Sequence, residues 1–285
     1  MNVRVESPDD LAGALAALVG ATERTRVLAG GTDLMVELES DGARCDRVVD
    51  VWRVDELRGV SRSDEGLRIG ALTTCAELIR SPLVRAEVEI LAEAADQCGA
   101  EQIKNRATIG GNLGTASPAA DLCPVLLALG AEVQLVSQRG GPRVVAIGEY
   151  FTGYRATARR PDELIESVVV APRDPLERRA FRKVGTRRAQ SISKVVLAAA
   201  AVLDEGTVRS ITVAAGSVAD RTLLLPSVGR ELRGRRPDAA LVERAARRAA
   251  REDIAPIDDV RSSAAYRRAA TQRVLRRMLE QLVPG

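Results

Sequence analysis

The sequence predicts an α+β fold in which two α+β units are followed by an antiparallel sheet with helices. Up to about residue 170, short apolar strand patterns alternate with amphipathic helix patterns. After a proline- and charge-rich stretch at 172–179, two long strand patterns precede two helical ones, which indicates a separate sheet-and-helix domain. We therefore predict a first domain over 1–174, with subdomains of about 1–58 and 59–174, and a second domain over 178–285.

In the first domain, a helix is predicted to begin at Ser7 and to end at Gly20. Ser7 supplies an N-cap and Pro8 occupies the first helical position. The same pattern at Ser81-Pro82 predicts a helix that runs to Gly99. Further elements of this domain are predicted as strands at 26–29, 47–51, 67–71, 131–137, 143–147 and 164–170 and as a buried helix at 122–129.

In the second domain, strands are predicted at 193–203 and 207–215, joined by the turn signal Asp204-Glu205-Gly206. Helices are predicted at 238–252 and 263–282. Both helices are rich in arginine, and such runs are typical of solvated helix faces rather than of a binding surface.

Composition and charge narrow the class of protein. With 46% hydrophobic and 28% charged residues, the 285-residue chain resembles globular proteins with more than one core. The net charge of +3 does not favour a nucleic-acid partner. The first ten residues contain no apolar signal-peptide core, and the longest apolar run, 195–203, is too short to span a bilayer. We therefore expect a cytoplasmic protein with no membrane span.

Two absences bear on the chemistry. The chain contains no histidine, the commonest general base and metal ligand. Its four cysteines are scattered and form no C-x-x-C pair, so no metal or iron–sulfur site is expected in this chain. If the protein is an enzyme, we expect a bound cofactor, and not a catalytic side chain, to carry the chemistry.

Two similar segments, LAGGTDL at 28–34 and TIGGNLG at 108–114, point to a phosphate-containing ligand. Glycine adopts positive φ easily, and two glycines in a row allow successive N–H groups to point into one concavity that suits a phosphate oxygen. Two such loops predict a pyrophosphate held from both sides, with Thr32, Thr108 and Asn112 as additional donors. Alternatively, each Gly-Gly pair is an ordinary tight turn.

Asp121 follows the second loop and is a candidate for accepting hydrogen bonds from ribose hydroxyls, as acids do in other dinucleotide sites. The usual phosphate motifs are missing, however. The sequence contains neither G-x-G-x-x-G nor a glycine-lysine-serine/threonine P-loop. A dinucleotide would therefore have to be held by something other than a Rossmann unit.

Longer blocks of sequence resemble the FAD-binding subunit, or medium chain, of the molybdenum hydroxylases, the group of xanthine dehydrogenase and carbon monoxide dehydrogenase. The resemblance covers essentially the whole chain. It implies a two-part FAD-binding domain of the PCMH/vanillyl-alcohol-oxidase type followed by a C-terminal antiparallel sheet with helices. The blocks are VLAGGTDLMVEL at 27–38, IKNRATIGGNLGTASPAADLCPVLLALGAEV at 103–133, FTGYRATARRPDELI at 151–165, AFRKVGTRRAQSISKV at 180–195 and SSAAYRRAATQRVLRR at 262–277.

The resemblance also implies which residues contact FAD. The two glycine loops wrap the pyrophosphate, and Asp121 lies near the ribitol and phosphate instead of the ribose. Thr115 is a further contact, Ile165 lies close to the flavin and adenine, and Lys183 reaches the flavin side of the pocket. The loop residues are Val27, Leu28, Ala29, Gly30, Gly31, Thr32, Asp33 and Leu34 in the first loop and Thr108, Ile109, Gly110, Gly111 and Asn112 in the second.

As a function, the resemblance implies an electron-transfer subunit. FAD would accept electrons from a small 2Fe-2S subunit and pass them to NAD or another acceptor, while hydroxylation occurs at molybdopterin in a large subunit. The tract VGTRRAQSISK at 184–194 is more similar to purine-type, xanthine dehydrogenase-like enzymes. The alternatives are a carbon monoxide dehydrogenase-type medium subunit, a free-standing FAD oxidoreductase and a non-enzymatic assembly protein.

One departure from the family concerns the flavin environment. Some relatives place an aromatic residue against the cofactor where this chain has Cys98. Phe181 is then a candidate for shielding the isoalloxazine ring.

Overall fold

The computed structural model describes residues 3–40, 45–187 and 190–284. A 3₁₀ turn covers Asp55–Leu57. The helices are α1 (Leu11–Leu18), α2 (Leu34–Glu39), α3 (Cys75–Arg80), α4 (Pro82–Glu87), α5 (Glu89–Asp96), α6 (Glu101–Lys104), α7 (Ile109–Thr115), α8 (Cys123–Ala128), α9 (Ile147–Tyr150), α10 (Pro226–Leu232), α11 (Ala239–Glu252) and α12 (Ala264–Leu282). The strands are β1 (Arg4–Glu6), β2 (Thr25–Leu28), β3 (Arg47–Asp50), β4 (Val60–Ser63), β5 (Gly66–Gly70), β6 (Glu132–Ser137), β7 (Gly141–Ala146), β8 (Phe151–Gly153), β9 (Ala156–Thr157), β10 (Leu164–Val170), β11 (Glu177–Val184), β12 (Val195–Asp204), β13 (Thr207–Gly216) and β14 (Leu223–Leu224).

The N-terminal part is a small parallel sheet of order β1-β3-β2, with α1 packed against it. The predicted helix and the predicted strands at 26–29 and 47–51 are therefore present, but the first helical residue is Leu11, three positions after the predicted Pro8. The cap is Asp10, not Ser7, because the Asp10 carboxylate accepts a hydrogen bond of 2.7 Å from the N–H of Gly13.

The second sheet is antiparallel, has the order β4-β5-β10-β6-β7, and is covered by the helices α3, α4, α5 and α8. The single helix predicted from Ser81 to Gly99 is two helices, α4 and α5. Val88 breaks it by leaving the helical conformation at φ −145° and ψ 51°. This bend allows Val84, Val88 and Leu91 to be buried in the same core.

The C-terminal part is an antiparallel sheet of order β11-β12-β13-β14 with α10, α11 and α12 on one face. Along β12, Val195 and Leu197 face these helices, whereas Val196 and Ala198 pack into the core around α8. Burial on both faces explains why β12 is a continuous apolar run and not an alternating one. None of the described helices is long and apolar enough to cross a membrane.

Phe181 on β11 lies in this junction between the C-terminal sheet and the helices of the first part. Its side chain is 2% exposed and belongs to the same core as α8. The expectation that Phe181 shields a flavin ring is therefore wrong, because the ring is used to pack the two parts together.

Candidate functional site

A cavity of about 1120 Å³ lies where the parallel sheet, the antiparallel sheet and the C-terminal part meet. Its volume is slightly above the range of about 300–1,000 Å³ that is typical of ligand sites. The parallel sheet contributes the loop after β2, the antiparallel sheet contributes α7 and the start of β10, and the C-terminal part contributes segments on either side of β12 and β13. A ligand in the cavity would therefore touch all three parts of the chain.

The loop after β2 contains three consecutive backbone donors without a partner among the described residues. Gly31 has a φ of +78°, a conformation that favours glycine. Within the described residues, no hydrogen bond uses the N–H groups of Gly31, Thr32 or Asp33. The first of the two predicted loops therefore has donors available for an anion, and its role as an anion-binding nest stays a prediction.

The second loop differs from the prediction. Thr108 is the N-cap of α7, and Gly110 and Gly111 are helical residues without positive φ. The Thr108 hydroxyl accepts from Gly111 N–H at 3.0 Å, and Gly110 N–H donates to the Ala71 carbonyl at 2.8 Å. These donors are already bonded, so the predicted second nest of backbone N–H groups is wrong.

The glycines of the second loop serve close packing instead. A Cβ on Gly110 would lie 2.7 Å from both the Cβ and the carbonyl oxygen of Ala71. A Cβ on Gly30, in the first loop, would overlap the carbonyl oxygen of Arg106. Glycine at these two positions allows both loops to press against neighbouring backbone.

An arginine–tryptophan stack joins the two loops. The guanidinium of Arg106 lies 3.7 Å from the ring centroid of Trp52, and Arg58 lies 4.6 Å from the same centroid. Arg106 also donates a hydrogen bond of 3.3 Å to the Gly30 carbonyl. Arg106 thus ties the first glycine loop to the segment that leads into α7.

Asp121 and Lys183, both predicted cofactor contacts, are bonded to each other. The Lys183 ammonium lies 2.7 Å from Asp121 Oδ2 and donates to the Gln97 carbonyl at 2.8 Å. Ser193 donates to Asp121 Oδ1 at 2.6 Å. Burial raises the pKa of Asp121, and Lys183 and Ser193 oppose that rise. The contact joins the first domain to β11 and to the segment before β12.

Most of the predicted cofactor-binding residues are brought together on the cavity wall, while Leu28, Ile109 and Lys183 are not on it. Ile109 is fully buried in the core. Whether the wall residues bind FAD stays a prediction. They are Val27, Ala29, Gly30, Gly31, Thr32, Asp33, Leu34, Thr108, Gly110, Gly111, Asn112, Thr115, Asp121 and Ile165.

Sequence reasoning gave no role to the hairpin of β8 and β9, whose tip is Tyr154-Arg155. Arg155 reaches the first glycine loop and donates to Asp33 Oδ2 at 3.1 Å. Tyr154 is 68% exposed and is the one aromatic side chain on the described cavity wall. The only signal for this hairpin was its place in the block FTGYRATARRPDELI. Cys98, in contrast to Phe181, does lie on the wall.

Comparison with known proteins shows which family this chain belongs to. Residues 1–173 match the FAD binding domain in molybdopterin dehydrogenase. The chain belongs to this family. Residues 179–282 match the CO dehydrogenase flavoprotein C-terminal domain. These matches confirm the resemblance found in the sequence, the predicted fold class and FAD as the cofactor.

Individual relatives are similar over most of the chain or over part of it. The glyceraldehyde dehydrogenase medium chain of Sulfolobus acidocaldarius is 33% identical over 266 residues, 93% of this chain and 92% of that protein. The nicotinate dehydrogenase FAD-subunit of Eubacterium barkeri is 35% identical over 172 residues, 59% of this chain and 58% of that protein. A solved structure, reconstituted CO dehydrogenase from Oligotropha carboxidovorans, superimposes with a TM-score of 0.93 at 27% identity and covers 99% of this chain and 98% of its own. The protein is accordingly the FAD subunit of a molybdenum hydroxylase-type oxidoreductase.

The role of Gly31 in FAD binding can be tested by comparing its substitution with the same substitution at Gly20, a glycine of similar φ outside the cavity. Gly31→Ala should weaken FAD binding by at least about tenfold, because a Cβ at positive φ costs about 1–2 kcal/mol and would disturb the free N–H groups. Gly20 has a φ of +72° and open space around its Cα, so Gly20→Ala carries the same strain far from the cavity. FAD titration of both variants measures the difference, and an equal affinity in the two would contradict the nest.

Proposed function

We propose that this subunit transfers electrons from a 2Fe-2S partner to NAD or another acceptor through FAD held in the cavity. The observation that carries the proposal is the cavity itself, which extends from the nest of free N–H groups to the junction with the C-terminal part. When bound, FAD supplies reversible acceptance of electrons. The chain's own residues supply binding and orientation.

The residues that would hold FAD differ along the cavity. The N–H groups of Gly31, Thr32 and Asp33 would bind the pyrophosphate, because they are consecutive and have no other partner among the described residues. Tyr154, next to this loop, would lie against the adenine. The flavin would then occupy the junction with the C-terminal part, near Cys98 and Asp121.

The chain is suited to passing electrons on and not to transforming a substrate by acid–base catalysis. It contains no histidine, and the described residues include no group of three or more side chains placed to hold a metal ion. The carboxylate of Asp121 on the cavity wall is engaged by Lys183 and Ser193. We therefore assign hydroxylation to molybdopterin in a large partner subunit, and the supply of electrons to a small 2Fe-2S subunit.

The substrate of the complex is proposed from one tract. Residues 184–194, VGTRRAQSISK, resemble purine-type enzymes, which supports a xanthine dehydrogenase-like complex. The second candidate is a carbon monoxide dehydrogenase-type complex, and the TM-score of 0.93 to that structure supports it. The four cysteines are free thiols, which fits the proposed cytoplasmic location.

Purification of the native complex tests the assignment of partners. We expect this chain to purify with two further chains, one containing molybdenum and the other iron, and to contribute the FAD. Substrate-dependent reduction of NAD should require all three chains. A chain that purifies alone with FAD and reduces an acceptor by itself would instead support a free-standing oxidoreductase.

The proposed place of the adenine predicts a selective effect of Tyr154. Tyr154→Ala should weaken FAD binding by about tenfold, since stacking of a base on an aromatic ring is worth about 1–3 kcal/mol. Binding of FMN, which has no adenine, should not change, and Tyr154→Phe should retain the affinity for FAD. Flavin fluorescence titrations measure the affinities of the natural protein and Tyr154→Ala for FAD and FMN, and that of Tyr154→Phe for FAD. An equal loss for FAD and FMN would show that Tyr154 does not contact the adenine.

The ion pair of Lys183 with Asp121 predicts how the flavin potential responds to charge. Lys183→Met leaves a carboxylate without its cation beside the cavity, which disfavours an anionic reduced flavin. We expect the midpoint potential to fall by at least about 30 mV, equal to about 1.4 kcal/mol for a two-electron couple. Lys183→Met combined with Asp121→Asn removes both charges and should return the midpoint potential most of the way to that of the natural protein.

Redox titration of bound FAD measures the potential, and circular dichroism confirms that each variant is folded. The double variant matters because a single unpaired buried charge is costly by itself. If Lys183→Met binds FAD with an unchanged potential, then Lys183 only joins the two parts of the chain.

A further inference from the structure

Ser217, the residue after β13, combines a strained backbone with an unused hydroxyl on the cavity wall. Its φ of +65° lies in the left-handed region, which a residue with a side chain rarely adopts. Ser217 is 5% exposed, and its Oγ is buried without a hydrogen-bond partner among the described residues. Strained residues cluster at ligand sites, and a buried polar group without a partner costs stability unless a ligand uses it.

Contacts on both sides of Ser217 hold its backbone in place. The Ser217 N–H donates to the Pro118 carbonyl at 2.7 Å, and the Ser217 carbonyl accepts from the Arg267 guanidinium at 2.6 Å. The preceding Gly216 has little room for a side chain, because a Cβ there would lie 3.1 Å from the Pro118 carbonyl oxygen. Since the backbone is held in this way, the hydroxyl can reach a new partner only by rotation about its own Cα–Cβ bond.

A second donor without a partner lies beside the first. Arg267 on α12 is buried, lines the cavity, and also donates to Asp259 Oδ1 at 2.8 Å. Its Nε–H, however, has no partner among the described residues. The carboxylate of Asp259 balances the charge of Arg267, so this part of the wall offers hydrogen-bond donors and not an unpaired positive charge.

The surroundings of these two donors suit a ring and not a phosphate. The ion pair of Lys183 with Asp121 at the same junction is closed, so no cation is left there to balance a phosphate. A flat ring with polar atoms along one edge can instead pack against apolar side chains and bond the two donors. The apolar residues of the C-terminal part on this wall are Ile192, Ala219, Ala255 and Ile257.

We propose that the Ser217 hydroxyl and the Arg267 Nε–H bind the polar edge of the isoalloxazine ring of FAD, which carries ring carbonyls and a ring N–H. The hydroxyl can donate to a carbonyl or accept from the ring N–H, whereas the Nε–H can only donate. This inference rests on the proposed function, which puts the flavin at the junction with the C-terminal part. It explains why a strained serine is kept there, and it fixes which edge of the ring faces that part.

Ligands with and without the flavin test this contact. ADP has the adenine and the pyrophosphate of FAD but no flavin, so its affinity reports on the other end of the cavity. Ser217→Ala should weaken FAD binding about two- to tenfold, the loss expected for one hydrogen bond, and should leave ADP binding unchanged. Arg267→Lys keeps a cation for Asp259 but lacks the Nε–H, and it should show the same selectivity. Flavin fluorescence measures the affinity for FAD, and calorimetry measures that for ADP.

Thr222→Val is the matched control. The Thr222 hydroxyl is also buried without a partner among the described residues, but Thr222 does not line the cavity. Ser217→Ala and Thr222→Val each remove such a hydroxyl, so neither should lower the melting temperature of FAD-free protein, measured by circular dichroism. Only Ser217→Ala should weaken FAD binding and shift the visible absorption band of the bound flavin.

Ser217→Gly separates the effect of the hydroxyl from that of the strained backbone. It also relieves the positive φ, so FAD-free Ser217→Gly should melt above Ser217→Ala, and the two should bind FAD equally weakly. Unchanged affinity for FAD in folded Ser217→Ala, or an equal loss for FAD and ADP, would overturn the proposal alone. Natural protein that binds FAD no better than ADP would overturn it together with the proposed place of the flavin.

Discussion

The cavity depends on a close approach of backbone to backbone at Gly30. A side chain at this position would overlap the carbonyl oxygen of Arg106. The absence of Cβ allows the loop of the parallel sheet to press against the segment that enters α7, and Gly110 does the same for α7 against Ala71. These contacts set the distance between two walls of the cavity. The stack of Arg106 on Trp52 then holds the first wall in place from outside.

The third wall is joined to the first domain by the apolar contacts of β11 and β12 with α8 and by a buried ion pair. Lys183 on β11 and Ser193 both bond Asp121, so the C-terminal part is joined to the first domain at a buried carboxylate. Such a pair contributes little net stability, because desolvation offsets most of the attraction. Its geometry is nevertheless specific, since loss of either partner leaves a buried charge. We infer that the pair fixes how the C-terminal part sits over the cavity.

The sequence predicted the fold class and the long elements because their apolar patterns and caps are local. It did not distinguish the two glycine pairs, since a Gly-Gly turn and a Thr-capped helix that starts with glycine look alike over seven residues. In the second case, Thr108 caps α7. The carbonyls of Thr73 and Ala71 accept hydrogen bonds from the N–H groups of Ile109 and Gly110. Ser7 and Asp10 present the same difficulty, because each is a good N-cap and only the folded chain selects one.

Contacts between distant residues were beyond the sequence pattern. Asp121 and Lys183 were both expected at the cofactor, and no local pattern shows that residues 62 positions apart would bond each other. The hairpin tip at Tyr154 was missed for the same reason, since its nearness to Asp33 arises from a contact over 122 positions. These two failures arise from partners in another segment, whereas the misplaced cap at Ser7 and the missed break at Val88 are local.

The two ends of the cavity differ in which of their polar groups already have hydrogen-bond or ion-pair partners. At the first glycine loop, the N–H groups of Gly31, Thr32 and Asp33 have no hydrogen-bond partner among the described residues, and Arg155 is paired with Asp33. At the junction with the C-terminal part, Lys183 is paired with Asp121 and Arg267 with Asp259, so the charges there are also balanced. A ligand with an anionic centre and an apolar ring system would lie across the cavity in one direction only. We infer that the unbonded N–H groups of this loop, and not the ion pairs, orient the cofactor, which supplies the redox chemistry.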